Sequence, residues 1–302
     1  MSVATTSCEL WKALRGILCL HKPGGIKLET FLEKVNEKVI QQLNESNPDY
    51  KDRMKYLESV QDTNGLVDYS SHPLVLGDAY EDEDFLFQPV NNISEFSSGL
   101  SIISVNAPKI HEEFTNQVFL KQYFLKMELG KATDNGFYFG KMIEKSTYDH
   151  LKKRPQILEK RLAKIRSSYQ RDAFRQAGVQ LKSKEAYQLA VKGLVRPIKE
   201  HEGYALMYGL ECVNFNPPDI TLKVTCVNES PIYLAEFCSE LGLTLRTNAI
   251  LKELQLVKYG PFTIKDALLP KHVKLQNVID NLHNNFSSLN LLKKDRSPNL
   301  LL

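Results

Sequence analysis

Cysteine is scarce in this 302-residue sequence, and its five copies (Cys8, Cys19, Cys212, Cys226, Cys238) include no C-x-x-C pair. That argues against a disulfide framework and a thiolate zinc site, and for a reducing compartment. The seven histidines show no H-x-x-x-H or H-E-x-x-H spacing, so no metal is expected. No apolar run approaches the ~20 residues of a membrane-spanning helix, so no membrane span is expected. A G-x-x-x-x-G-K-[ST] loop is missing, Gly24-Gly25 reads as a plain turn, and Ser97-Ser98-Gly99 lacks the flanking glycine of a nucleophile elbow. Nucleotide hydrolysis and hydride transfer are therefore disfavoured, and no cofactor is expected. Charge of one sign is lacking too. With 39 basic and 36 acidic residues the net charge is +3, so any attraction to an anionic partner has to be local.

What is present is ordinary globular material, 42% hydrophobic and 25% charged, enough for one large domain or two small ones. The first fifteen residues, with Lys12, Arg15 and Glu9 as the only acid, read either as a weak transit-peptide-like segment or as a frayed cytosolic N-terminus. Residues 16–21 form an apolar strand closed by the turn Lys22-Pro-Gly-Gly25. Phe31, Leu32, Val35, Val39, Ile40 and Leu43 recur at helical spacing. Residues 44–71 read as a polar surface insertion, and Asp78 with Glu81, Asp82, Glu83 and Asp84 as a solvated acidic cluster. Strands are expected at 99–105, 121–130, 204–216, 220–227 and 244–256, and helices at 108–120, 148–168, 182–193, 232–241 and 273–282. After that last helix the polar tail reads as loose. Long strands with unevenly placed helices give an α+β protein rather than a βαβ repeat.

The densest basic stretch spans residues 151–170: Lys152, Lys153, Arg154, Lys160, Arg161, Lys164 and Arg166, with Glu159 as the only acid. It is either a solvated helix face or a surface laid along a phosphate backbone. Tyr169 and Phe174 add rings on which bases could stack.

Several blocks then occur in a telling order. Gly16-Ile-Leu-Cys-Leu-His-Lys22-Pro23-Gly-Gly25 leads. Lys121-Gln-Tyr123 follows, running on to Leu129-Gly130-Lys-Ala-Thr133-Asp134, and then Glu144-Lys-Ser-Thr-Tyr-Asp149. Glu185-Ala-Tyr187 through Gly193-Leu-Val-Arg196-Pro197 comes next, then Lys223-Val-Thr-Cys226, Glu240-Leu-Gly242 and Gly260-Pro-Phe262. Together they resemble the TruB family of pseudouridine synthases, and within it the animal mitochondrial branch without the C-terminal PUA module. The K-x-Y block ending in L-G-x-A-T-D is the most specific match. The resemblance implies an α+β, pseudouridine synthase-like fold: a mixed, mostly antiparallel sheet, surrounding helices and a central RNA-binding cleft. Residues 1–13 would be a flexible N-terminus, 14–270 the synthase domain, and 271–302 a C-terminal helix and loose tail, with no folded PUA-like domain.

In that family an aspartate within R/G-L-D-x-x-A-S/T-G attacks the flipped uridine. The matching segment is Asn92-Ile-Ser94-Glu-Phe-Ser-Ser98-Gly99, with Ser94 at the aspartate position and Asn92 at the preceding Arg or Gly. The family's partner arginine closes C-S-x-G-T-Y-I-R, whereas Cys226-Val-Asn-Glu-Ser-Pro-Ile-Tyr233 contains no arginine. A serine without an adjacent base is a poor nucleophile. Glu95 is the one substitute carboxylate, a residue further on and on the opposite side of an extended chain. By the same resemblance Tyr123 stacks on the target base, Lys22, Asn92 and Tyr187 complete the substrate contacts, and Lys160, Arg161, Lys164 and Arg166 grip the backbone. The implied partner is tRNA or mitochondrial mRNA or rRNA, with RNA-granule proteins besides, in mitochondria or alternatively the cytoplasm. Three readings follow: an RNA-binding protein with weak or no isomerase activity, an active synthase using another carboxylate such as Glu95, and a structural partner in an RNA-processing or ribosome-assembly complex.

Overall fold

A computed structural model describes residues 7–46, 79–191 and 205–294. Helices are α1 (Ser7–Ala13), α2 (Leu28–Glu45), α3 (Pro108–Thr115), α4 (Asp149–Lys153), α5 (Gln156–Gln176), α6 (Lys184–Val191), α7 (Pro231–Thr244) and α8 (Leu275–Lys294). Strands are β1 (Gly16–Lys22), β2 (Phe87–Pro89), β3 (Ser98–Val105), β4 (Lys121–Leu129), β5 (Lys131–Thr133), β6 (Met142–Lys145), β7 (Leu206–Asn216), β8 (Asp219–Val227), β9 (Ala249–Tyr259) and β10 (Phe262–Thr263). The main sheet runs β1-β3-β9-β4-β8-β7, with β2 added to β3 and β10 to β9, while β5 and β6 pair apart from it. Every pairing between strands in the main sheet is antiparallel except β3–β9. The mixed, mostly antiparallel sheet flanked by helices is the α+β architecture expected from the sequence.

The parallel contact is short, Ser98↔Gln255 and Gly99↔Leu256, and joins the two halves of the sheet. Gly99 sits at φ +113, and a Cβ there would lie 2.2 Å from the Leu256 carbonyl oxygen. Only glycine allows so close an approach in that conformation. On one side of the junction, β1, β3, α2 and α8 bury Leu18, Leu20, Phe31, Val39, Ile103 and Val278. On the other, β4, β8 and β9 pack Leu125, Leu222, Val224 and Leu251 against Leu158 and Leu162 of α5 and Phe237 and Leu241 of α7. The alternation of Ile220, Leu222, Val224 and Cys226 is what turns that face of β8 inward.

Several boundaries differ from expectation for identifiable reasons. Within the N-terminus expected to be flexible (1–13), residues 7–13 form α1, and Trp11 stacks on Tyr80 with ring centroids 6.3 Å apart; residues 1–6 lie outside the described residues. The helix expected over 148–168 is two helices, because Pro155 disfavours helical backbone at Arg154, whose φ,ψ is −140, 69. α7 continues to Thr244, and its chain reverses through Arg246 at φ +61, so β9 starts at Ala249 rather than Thr244. Of the tail expected to be loose, residues 283–294 continue α8, while residues 295–302 lie outside the described residues; α8 lies against the outer edge of β1. Asn281 accepts the Cys19 amide at 2.9 Å, and Asn285 donates to the Ile17 carbonyl at 3.0 Å. The amides thus satisfy the unpaired groups of an edge strand. Residues 81–84 are exposed and form a 3-10 turn, as expected of a solvated acidic cluster. The polar insertion beyond residue 46, Asp78 and the Gly193-Leu-Val-Arg196-Pro197 block lie outside the described residues.

Candidate RNA-binding cleft

The segment bearing Ser94 is pinned from three directions. Asn91, buried, donates to the Leu100 carbonyl at 2.9 Å and accepts the Ile102 amide at 2.7 Å, tying it to β3. The Gly25 amide donates to the Glu95 carbonyl at 2.8 Å. From below, Lys22 at the end of β1 directs its Nζ at four carbonyls: Pro23, Ser94 and Glu95 at 3.1 Å and Ser97 at 3.0 Å. Lys22 is 0% exposed. Burial pushes its pKa below the ordinary lysine value, and the Glu95 charge opposes that shift. The substrate contact expected of Lys22 is therefore corrected: its ammonium is enclosed by backbone oxygens and holds the loop instead of facing solvent.

The Ser94 and Ser97 hydroxyls are 2.5 Å apart. Among the described residues no histidine, carboxylate or amine is hydrogen-bonded to either hydroxyl. Glu95 is exposed and its carboxylate has no ion pair among the described residues. Asn92, Ser94 and Glu95 line a cavity of about 730 Å³ together with Lys27, Glu29 and Glu33. The three glutamates there disfavour a phosphate at that end.

Tyr123 lies across the junction. Gly99 pairs with Leu256, and Leu256 pairs with Tyr123, so about 10 Å, or two strand spacings, separates them. Phe96 and Tyr123 pack against the same core. The Tyr123 hydroxyl donates to Glu229 Oε1 at 2.5 Å, and Lys121 Nζ donates to the same oxygen at 2.9 Å. The Glu229 side chain is 2% exposed, and its second oxygen has no hydrogen-bond partner among the described residues. Burial, then the Glu229 charge, pushes the Tyr123 pKa well above the ordinary tyrosine value. Burial works against the Lys121 ammonium, but Glu229 outweighs it and raises its pKa. Tyr123 is thus a neutral phenol oriented by an acid 106 residues away. Sequence reasoning missed Glu229, because only the fold brings it to Lys121 and Tyr123. Eighth in the run from Cys226, where the resemblance leads one to expect an arginine, is Tyr233, whose hydroxyl donates to the Tyr169 hydroxyl at 3.1 Å.

A second missed group adjoins the Ser94 loop. Phe96 contacts Phe137 edge-on at 4.6 Å and Phe139 at 5.8 Å, while Tyr138 and Phe139 are each 55% exposed. Alternating Phe-Tyr-Phe in a polar stretch was the available signal.

The basic helix is divided. Lys160 and Arg161 line a cavity at the N-terminal end of α5. Lys164 and Arg166 are two residues apart, so their directions differ by about 200° and one phosphate track cannot take all four. Phe174 is corrected from a stacking ring to a core residue, buried with Ala173 and Leu206. Tyr187 is exposed on α6. Among the described residues no group of three His, Cys, Asp or Glu could hold a metal, and no helix is long and apolar enough to cross a membrane.

Comparison with known proteins converges on one family. The model for the N-terminal domain of TruB family pseudouridylate synthases matches residues 95–232. Mitochondrial pseudouridylate synthase TRUB2 of Mus musculus is 30% identical over 280 residues, covering 88% of this chain and 82% of that one. The Homo sapiens TRUB2 is 29% identical over 279 residues, with 88% and 82% coverage. Pseudouridylate synthase TRUB1 of Mus musculus is 24% identical over 86% of this chain and 67% of its own. A solved Cbf5-Nop10-Gar1 complex aligns at a TM-score of 0.42 with 13% identity, over 91% of this chain and 56% of that one, too loosely to add to the fold described above.

Proposed function

The chain belongs to the TruB family of pseudouridylate synthases, and on that premise we propose that it binds RNA through the family's cleft without isomerising uridine. One observation carries the second half: the hydroxyl of Ser94, the residue that the resemblance aligns with the nucleophile, is engaged by Ser97, with no base hydrogen-bonded to it among the described residues. Glu95 does not fill the gap, since it is exposed and shares its cavity with two other acids. The RNA-binding half is supported by Tyr123, held in one orientation by Glu229, and by the exposed rings of Tyr138 and Phe139 next to the loop. The RNA is a tRNA or a mitochondrial transcript. The protein acts in mitochondria, as the names of its TRUB2 relatives suggest, and fractionation that finds it only in the cytoplasm would contradict this.

The stacking role is tested by Tyr123→Ala. Stacking of one base is worth about 1–3 kcal/mol, so RNA affinity measured by fluorescence anisotropy should fall about 5- to 150-fold. An affinity unchanged within twofold would remove Tyr123 from the interface.

A further inference from the structure

The cavity at the far end of α5 and α7 has a use that the cleft does not account for. The two helices run antiparallel. At one end Tyr169 meets Tyr233; at the other, His150 Nε2 lies 2.7 Å from the Leu245 carbonyl. Between those far ends opens a cavity of about 640 Å³. Six basic residues line it, His150, Lys153, Arg154, Lys160, Arg161 and Arg246, and none of its lining residues is acidic. Five of these six are Lys or Arg, and none of the five is in an ion pair or side-chain hydrogen bond among the described residues. The nearby acids do not answer them: Asp149 is paired with Lys152, and Glu159 does not line the cavity. Arg246 reaches the rim from left-handed backbone, φ +61. Converging cations without counter-charges are costly to hold together, and an incoming anion relieves that repulsion.

We propose that this cavity is a second RNA contact, a seat for a backbone phosphate separate from the cleft. α7 spans the two places, and its 14 residues make them about 20 Å apart. A single RNA molecule can therefore engage both. The inference rests on the RNA-binding reading above and adds to it a specific anchor built from α4, the start of α5 and the turn after α7. It also narrows the basic helix to one working end, with Lys160 and Arg161 inside the anchor and Arg166 outside it.

The test uses the full chain and a fluorescein-labelled tRNA transcript, titrated at several salt concentrations. Arg154→Gln with Arg246→Asn removes two cations, asparagine being tolerated in left-handed backbone. If each made one phosphate contact, the slope of log affinity against log salt should flatten by about 1.4–1.8. At 0.1 M salt that corresponds to roughly 25- to 60-fold weaker binding. Arg154→Lys with Arg246→Lys should keep the native slope. Should the first pair fail to fold, as judged by circular dichroism, Lys153→Gln with Lys160→Gln carries the same expectation. Native affinity and slope in these variants, together with weakened binding by Tyr123→Ala, would overturn the anchor and leave the cleft reading standing. No binding by the native protein would overturn the RNA-binding reading itself. Competition by poly-glutamate as effective as by unlabelled tRNA would reassign the cavity to an acidic protein partner and overturn the proposal.

Discussion

Ser94→Asp should not produce a working isomerase; its rate should stay on the order of 10⁴ or more below that of an active family member assayed beside it. The reason is local. A new carboxylate at 94 would need a cation to hold it ionised and aimed at the base. Where the resemblance leads one to expect an arginine stands Tyr233, already hydrogen-bonded to Tyr169. Lys22 Nζ lies against the loop, but its donors are taken by four carbonyls. The new acid would also join Glu29, Glu33 and Glu95 around one cavity, so RNA affinity should drop as well, visible in the same anisotropy titration. Recovery of activity within tenfold of the active relative would show that the rest of the catalytic machinery is intact and that loss of the aspartate is recent and isolated.

The second large effect is structural. Lys22→Met should destabilise the protein by about 3–5 kcal/mol, because four carbonyls, that of buried Ser97 among them, lose the charged donor that a buried lysine supplies. That is a large part of the roughly 5–15 kcal/mol that holds a typical domain together. Urea unfolding should show a lower midpoint with little change in slope. RNA binding should weaken in the variant's remaining folded fraction, since the Ser94–Ser97 turn would lose the cation it is wrapped around. A midpoint equal to the native one would mean that Lys22 is not the support of this loop.

How far the sequence alone reaches can be seen at particular residues. The blocks around Tyr123 and Gly130 were legible because their spacing is specific, and β8 was legible because its side chains alternate. Ser94 was placed by counting back from Ser98-Gly99, and Gly99 shows why that pair is a fixed point: the strand junction admits no side chain there. The substrate contact expected of Lys22 came from the resemblance of the Lys-Pro-Gly-Gly block, and only the fold wraps residues 94–97 around its ammonium, more than seventy positions away. Glu229 was silent for the same reason, its partners lying 106 and 108 positions upstream. Asn285 looked like a marker of a loose tail, yet its amide, with that of Asn281 in the expected helix, is what an open strand edge requires. The break at Pro155 was readable and was overridden by the apolar stripe Ile157, Leu158, Leu162 and Ile165. Pocket residues drawn from α4, α5 and the turn after α7 could not be grouped from a one-dimensional pattern.

The central claim is that the cleft binds RNA but lacks chemistry, and one experiment addresses it directly. Purified native protein is incubated with a tRNA transcript that an active family member modifies, and bound RNA and pseudouridine are quantified in the same samples. The account predicts RNA retained by the protein and no pseudouridine above background after overnight incubation at equimolar enzyme. Pseudouridine formed over several turnovers would contradict it; if that activity disappeared in Glu95→Gln, the working carboxylate would be Glu95.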